Sequence, residues 1–128
     1  MFEYTDAFSG YSVDDIQEAL RFYRDVLGCD ASDTGMGVEL HFPNGHTVFL
    51  YEKEDHEPAT FTVLNFPVED IDTAVEDLAV KGIDMLMYEN LPAEQDGLGV
   101  LRGKANGMGP DIAWFKDPAG NVLAILEK

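Results

Sequence analysis

The sequence predicts an α+β fold built as two tandem modules, each reading strand, helix, and two or three further strands. Three observations carry this. The 128 residues suit one compact domain or two small halves sharing a core. An amphipathic helical pattern occurs twice. A Pro-Gly turn leading into an apolar strand also occurs twice, in the same order. With 45% hydrophobic residues the chain has ample material for a core, which excludes wholesale disorder.

The first strand falls near Ala7–Val13. Ser12-Val13-Asp14-Asp15-Ile16 then opens a helix in which Ile16, Ala19, Leu20, Tyr23, Val26 and Leu27 recur at three- and four-residue steps. Asp14 or Asp15 caps its start, and Gly28 suits a left-handed C-cap. A strand region follows at Asp33–Phe42, in one piece or two, and Pro43-Asn44-Gly45 turns the chain into a strand at Thr47–Lys53. The charged stretch Glu52–Pro58 links the modules, which span about 1–56 and 57–128. After a strand at Thr60–Pro67 the pattern restarts at Pro67-Val68-Glu69-Asp70-Ile71, with Ala74, Val75 and Leu78 on the apolar stripe, Glu69 or Asp70 as cap and Gly82 as terminator. The register between the helices slips once, because the first holds one residue more between cap and glycine. A strand is expected at Asp84–Glu89, then an irregular Gly-rich loop at Asn90–Gly109, and strands at Asp111–Phe115 and Val122–Leu126. The turn Asp117-Pro118-Ala119-Gly120 matches Phe42-Pro43-Asn44-Gly45, and Glu52-Lys53 matches Glu127-Lys128.

Eight Lys and Arg against 25 Asp and Glu give a net charge of −17. Such a chain repels phosphate backbones and anionic membranes, so no nucleic-acid or membrane partner is expected. No apolar run approaches the ~20 residues of a membrane span, and no secretory signal is legible. A single cysteine, Cys29, excludes an internal disulfide framework and a cysteine-based zinc site. A cytoplasmic location is the simplest expectation. The Gly-rich loop matches neither phosphate-binding glycine motif.

Val13-Asp14-Asp15-Ile16 followed by Phe22-Tyr23-Arg24-Asp25-Val26-Leu27-Gly28, together with Phe115-Lys116-Asp117-Pro118-Ala119-Gly120-Asn121, resembles the vicinal oxygen chelate superfamily. That group includes glyoxalase I, bleomycin resistance proteins and extradiol dioxygenases. The resemblance implies paired βαβββ modules whose curved strands enclose a cleft, a homodimer, and a divalent metal held by one residue from the first and last strand of each module. The positions that match those ligands are Phe8, Phe49, Val63 and Ala124. None carries a lone-pair donor, nor do their neighbours offer His, Glu or Gln, so no metal cofactor is expected.

Other chemistry is sparse. Glu39 and His41 share one strand face and, with His46, offer a nonstandard metal set. Glu39 and Tyr51 are the candidate general acid or base. His56 reads as a solvated linker residue, and Cys29, beyond a helix C-terminus, as a small packed hydrophobe. Strand alternation groups Phe8, Gly10 and Ser12 with Phe49 and Tyr51, and Val63 and Asn65 with Ala124. With Trp114, and Arg102 at the mouth, these residues outline an apolar pocket. Phe8 and Phe49 also suit plain core. The expected function is metal-free binding of a small organic molecule, cationic or aromatic, as in antibiotic or toxin sequestration. The alternatives are a lyase, isomerase or dioxygenase of the same group with a nonstandard site, and a scaffolding protein with a filled cleft.

Overall fold

The computed structural model describes residues 1–128, which divide into two compact units, Met1–Pro58 and Ala59–Lys128. In the first, β1 (Ser9–Val13) leads to α1 (Ile16–Leu20), which runs on as a π-helical stretch Arg21–Val26. Then come β2 (Asp30–Asp33), β3 (Val38–His41) and β4 (Thr47–Glu52). The sheet order is β1-β4-β3-β2, with β1 parallel to β4 and the other pairs antiparallel. The second unit repeats this with β5 (Thr62–Pro67), α2 (Ile71–Val80), β6 (Leu101–Arg102), β7 (Asp111–Lys116) and β8 (Val122–Glu127), ordered β5-β8-β7-β6. Each unit is therefore a mixed sheet with one helix, the α+β class expected. No helix is long and apolar enough to cross a membrane.

The helix starts follow from their caps. Asp15 and Asp70 both have extended backbones, and their carboxylates accept from Gln17 and Glu18, and from Asp72 and Thr73. These bonds satisfy donors that the first helical turn cannot pair internally. In unit 1 the buried helix residues Ala19, Leu20, Phe22 and Tyr23 belong to the same core as Val38, Leu40, Val48 and Leu50. Tyr11 Oη donates to Tyr23 Oη at 2.8 Å, so a buried phenol keeps a partner. In unit 2, Ile71 and Val75 join Ala113, Phe115, Leu123 and Ile125 in the core.

The extra residue in the first helix explains the π-helical stretch. Its wide turn absorbs one residue while Asp15 still caps the start and Gly28, at φ 77°, still ends the helix, as Gly82 does at φ 83°. The two Pro-Gly turns are alike bond for bond. Phe42 N–H donates to His46 O at 3.0 Å and Gly45 N–H to Phe42 O at 2.9 Å; Asp117 N–H donates to Asn121 O and Gly120 N–H to Asp117 O, both at 3.0 Å.

Four sequence expectations change. The first strand begins at Ser9, so Phe8 lies outside it and is 66% exposed rather than core. Of Asp33–Phe42 only Asp33 and Val38–His41 are strand: β2 starts earlier, at Asp30, and is parted from β3 by a turn where Thr34 N–H donates to Gly37 O. Asp84–Glu89 is no strand, because its only ladder-like bond is Leu86 N–H to Trp114 O, at 2.7 Å. The Gly-rich loop contains β6 and is densely bonded, as described below.

Candidate functional site

Residues paired across a sheet point to the same side. Val48 and Leu50 of β4 face the helix side, so Phe49 and Tyr51 occupy the opposite, helix-free face of unit 1. Gly10 and Ser12 of β1 pair with Phe49 and Tyr51, and Glu39 of β3 pairs with Phe49, which places all five on that face. The rings of Phe49 and Tyr51 stack at 6.2 Å with an interplanar angle of 19°. A side chain at Gly37 would strike the Phe49 ring at 2.7 Å and Leu50 O at 2.3 Å, so the bare backbone there is what lets the ring lie where it does.

Polar groups flank this aromatic pair. Glu39 Oε1 lies 3.3 Å from His41 Nε2, whose ring nitrogen also approaches Ser32 Oγ at 3.4 Å. On the other side Ser12 Oγ and His56 Nδ1 are 2.7 Å apart. His56 is thus half-buried and anchored to β1, a correction to its reading as a solvated linker residue. The serine contact was invisible in sequence because 44 positions separate the two.

The four positions that the resemblance matches to metal ligands carry no lone-pair donor. Phe49 is a stacked aromatic, Ala124 a fully buried methyl, Phe8 an exposed ring ahead of β1, and Val63 an aliphatic side chain at a register shift in β5. Of the nonstandard set, Glu39 and His41 approach one another while His46 is exposed at the turn, and no three His, Cys, Asp or Glu side chains are placed to hold a metal ion.

In unit 2 the register shift between Thr62 and Leu64 breaks simple alternation, so Val63 does not share a paired row with Asn65. Asn65, Ala124 and Trp114 do form one row across β5, β8 and β7. Tyr88 packs edge-on against Trp114 with centroids 5.4 Å apart, and burial pushes the Tyr88 phenol pKa up. Cys29 of unit 1 is half-buried, and burial raises its thiol pKa likewise.

Arg102 is not a free cation for a ligand. Its guanidinium meets Asp72 at 2.5 Å, Asp96 at 2.8 Å and Asp111 at 3.7 Å. The Asp72 bond does most to raise its pKa; burial opposes it, and the Asp96 bond adds to the rise. Lys104 pairs with Glu127, which also accepts from Ile71 N–H at 2.9 Å. The lysine bond first, then the amide, hold the Glu127 carboxyl below the usual range. Gln95 completes the loop: its Nε2 donates to Leu86 O at 2.8 Å and Gly99 O at 2.7 Å, and its Oε1 accepts from Tyr88 N–H at 2.7 Å. These cations and amides tie the segment to itself and to α2, β7 and β8, and only a lone Arg and Lys among acids hinted at it.

A family model described as Glyoxalase/Bleomycin resistance protein/Dioxygenase superfamily matches residues 6–125. No curated protein matches the chain. Among solved structures it is similar to the fosfomycin resistance protein FosX from Listeria monocytogenes, at 11% identity and TM-score 0.68, covering 99% of this chain and 95% of that one. TnmS3, an antibiotic binding protein from a Streptomyces species, is 19% identical with TM-score 0.63 and 98% of each chain covered. A superfamily member from Sphaerobacter thermophilus is 22% identical with TM-score 0.66, over 97% of this chain and 98% of that one. At these identities the likeness is one of fold.

Proposed function

Because this chain belongs to the Glyoxalase/Bleomycin resistance protein/Dioxygenase superfamily, we propose that it is a binding protein for small organic molecules that works without a metal. The observation that carries this reading is the replacement of the metal-ligating strand positions by Phe8, Phe49, Val63 and Ala124, with Phe49 stacked on Tyr51 where a ligand atom would otherwise sit. A stacked aromatic pair bordered by the Glu39 carboxylate favours a flat or cationic molecule, through stacking, cation–π attraction and charge. The net charge of −17 raises the local concentration of cations further. TnmS3, which binds an antibiotic, offers a precedent for binding on this fold. Trp114 and Asn65 are a second contact row, in unit 2. Tyr88, edge-on to Trp114, limits how a ligand approaches it.

Calorimetric titration with a panel of aromatic cations tests this. Phe49→Ala is expected to weaken the tightest one about tenfold, since a stacking contact and its buried area are lost. Unchanged affinity in both Phe49→Ala and Tyr51→Ala would remove the site from this face.

A second reading is favoured by the pairs Glu39–His41 and Ser12–His56, which give the same face groups able to accept or donate protons beside Tyr51. It describes a metal-independent lyase or isomerase with Glu39 or Tyr51 as acid or base. Turnover lost in Glu39→Gln or Tyr51→Phe, with ligand affinity retained, would establish it over simple binding.

A further inference from the structure

Unit 2 carries a groove of about 300 Å³ on the helix side, away from the row of Asn65, Ala124 and Trp114. One wall is α2, through Val75 and Ala79. The floor is the extended stretch after the helix, through Ile83, Met85 and Met87, and the far wall is the turn Gly97-Leu98-Gly99. We propose that this groove is a separate binding site for a small organic monocation with an apolar body.

Three features support it. First, the groove is built before any ligand arrives. The Gln95 side chain bonds Leu86 O and Tyr88 N–H on the extended floor and Gly99 O on the wall, clamping the two together. Asp96 Oδ1 accepts from Leu98 N–H and Val100 N–H at 2.9 and 3.0 Å, which fixes the turn. Gly99, at φ 85°, lies so close to Met85 that a Cβ there would be 2.7 Å from the Met85 Cβ. Walls held this way lose little entropy on binding. Second, the lining is apolar and adaptable. Met87 is 64% and Leu98 42% exposed, and a methionine thioether moulds to irregular ligands and contacts aromatic rings favourably. The volume lies at the lower end of small-molecule pockets, which limits the ligand to about one ring and a head group. Third, Asp84 is the one charged residue in the lining, so the groove presents a carboxylate beside an apolar floor and no cation. An anion is excluded by that carboxylate and by the acidic chain around it, and a neutral molecule gains nothing from either.

The test uses the full chain labelled with ¹³C at the methionine methyl groups. Met85 and Met87 report the groove, while Met1, Met36 and Met108 serve as internal controls. The probes are benzyltrimethylammonium, benzyl methyl sulfone and phenylmethanesulfonate, close in shape and carrying positive, zero and negative charge. Benzyltrimethylammonium is expected to shift the Met85 and Met87 signals saturably and leave Met36 in place. The neutral sulfone should bind roughly fivefold more weakly and the sulfonate not at all. Asp84→Asn should abolish the preference for the cation over the sulfone, and Leu98→Arg, which removes an apolar wall and adds a positive charge, should weaken both probes and the cation the more. Phe49→Ala, in the other unit, should leave the response intact, which separates this site from the one proposed above. Silent Met85 and Met87 signals, equal binding of cation and sulfone, or a response untouched by both groove variants would overturn the proposal.

Discussion

In both units an aspartate caps the helix and a glutamate at the end of the last strand accepts from the first helical N–H: Glu52 from Ile16 at 3.4 Å, and Glu127 from Ile71 at 2.9 Å. Only in unit 2 is that glutamate also tied to a lysine from a long loop. The same contrast recurs at the turns. Their backbone bonds coincide, but in unit 2 Asp117 and Asn121 are buried and bonded side chain to side chain, whereas Phe42 and His46 leave the first turn on the surface. Unit 1 instead gives its slack to the helix, as a π-helical stretch, and its polar side chains to the helix-free face. One duplicated framework thus supports two different specialisations. Unit 2 is stiffened by charge around a groove, and unit 1 carries aromatic and proton-active groups on its helix-free sheet face.

The contrast in the helices gives the largest expected effect. Deleting Asp77 from α2 rotates everything after it by about 100° and detaches the Gly82 cap, which should cost about 3 kcal/mol. Deleting Arg24 from the π-helical stretch removes only the surplus residue and should cost about 1 kcal/mol or less. Chemical denaturation of the two variants reads the difference directly, and equal losses would show that the π-helical stretch is not an absorbed insertion.

Next in size is the ion cluster that unit 1 lacks. Arg102→Leu leaves Asp72, Asp96 and the buried Asp111 facing one another uncompensated, and should destabilise the chain by about 2 kcal/mol. Amide exchange should rise across β6 and its flanking loop, from Gln95 to Gly109, and stay constant in β1–β4. A uniform rise in both units would mean the cluster does not act locally.

The smallest effect is the pH dependence. Lys104 holds the Glu127 carboxyl below its ordinary range. At Asp96 burial pushes the carboxyl up, but hydrogen bonds from Val100, Arg102 and Leu98 together outweigh it and bring the pKa down. A carboxyl with a lowered folded pKa stabilises the fold above its unfolded value of about 4 and loses that contribution as pH falls through the folded value. In unit 1 the lowered carboxyls, Asp25 beside Arg24 and Asp55 beside Lys53, lie in exposed pairs that salt screens. Below about pH 4, Lys104→Met should therefore show a shallower loss of stability than the unmodified chain. Parallel acid titrations of the two proteins would contradict the assignment.

What was legible in the sequence is what local chemistry determines. Asp15 and Asp70 act as caps, Gly28 and Gly82 end helices, and the two Pro-Gly turns form as their residues demand. Strand alternation alone placed Phe49 and Tyr51 on one face with Gly10 and Ser12. Features that depend on distant partners were out of reach. Alternation cannot foresee the register shift that takes Val63 out of the Asn65 row, and apolar residues at Asp84–Glu89 suggested a strand although their backbone bonds go largely to Gln95. Arg102 looked available because its three acidic partners lie on α2, in the loop and on β7. Ser12 and His56 gave no sign of meeting.

Binding without a metal is the proposition on which the rest depends. Elemental mass spectrometry of untagged protein, before and after chelation and re-exposure to Fe, Mn, Ni, Zn and Co, addresses it. Less than about a tenth of a metal ion per chain is expected throughout, with affinity for aromatic cations unaffected by chelation, because the strand positions offer no donor set. Stoichiometric metal, or binding that chelation abolishes, would contradict this and would turn attention to catalysis by ligands outside Phe8, Phe49, Val63 and Ala124.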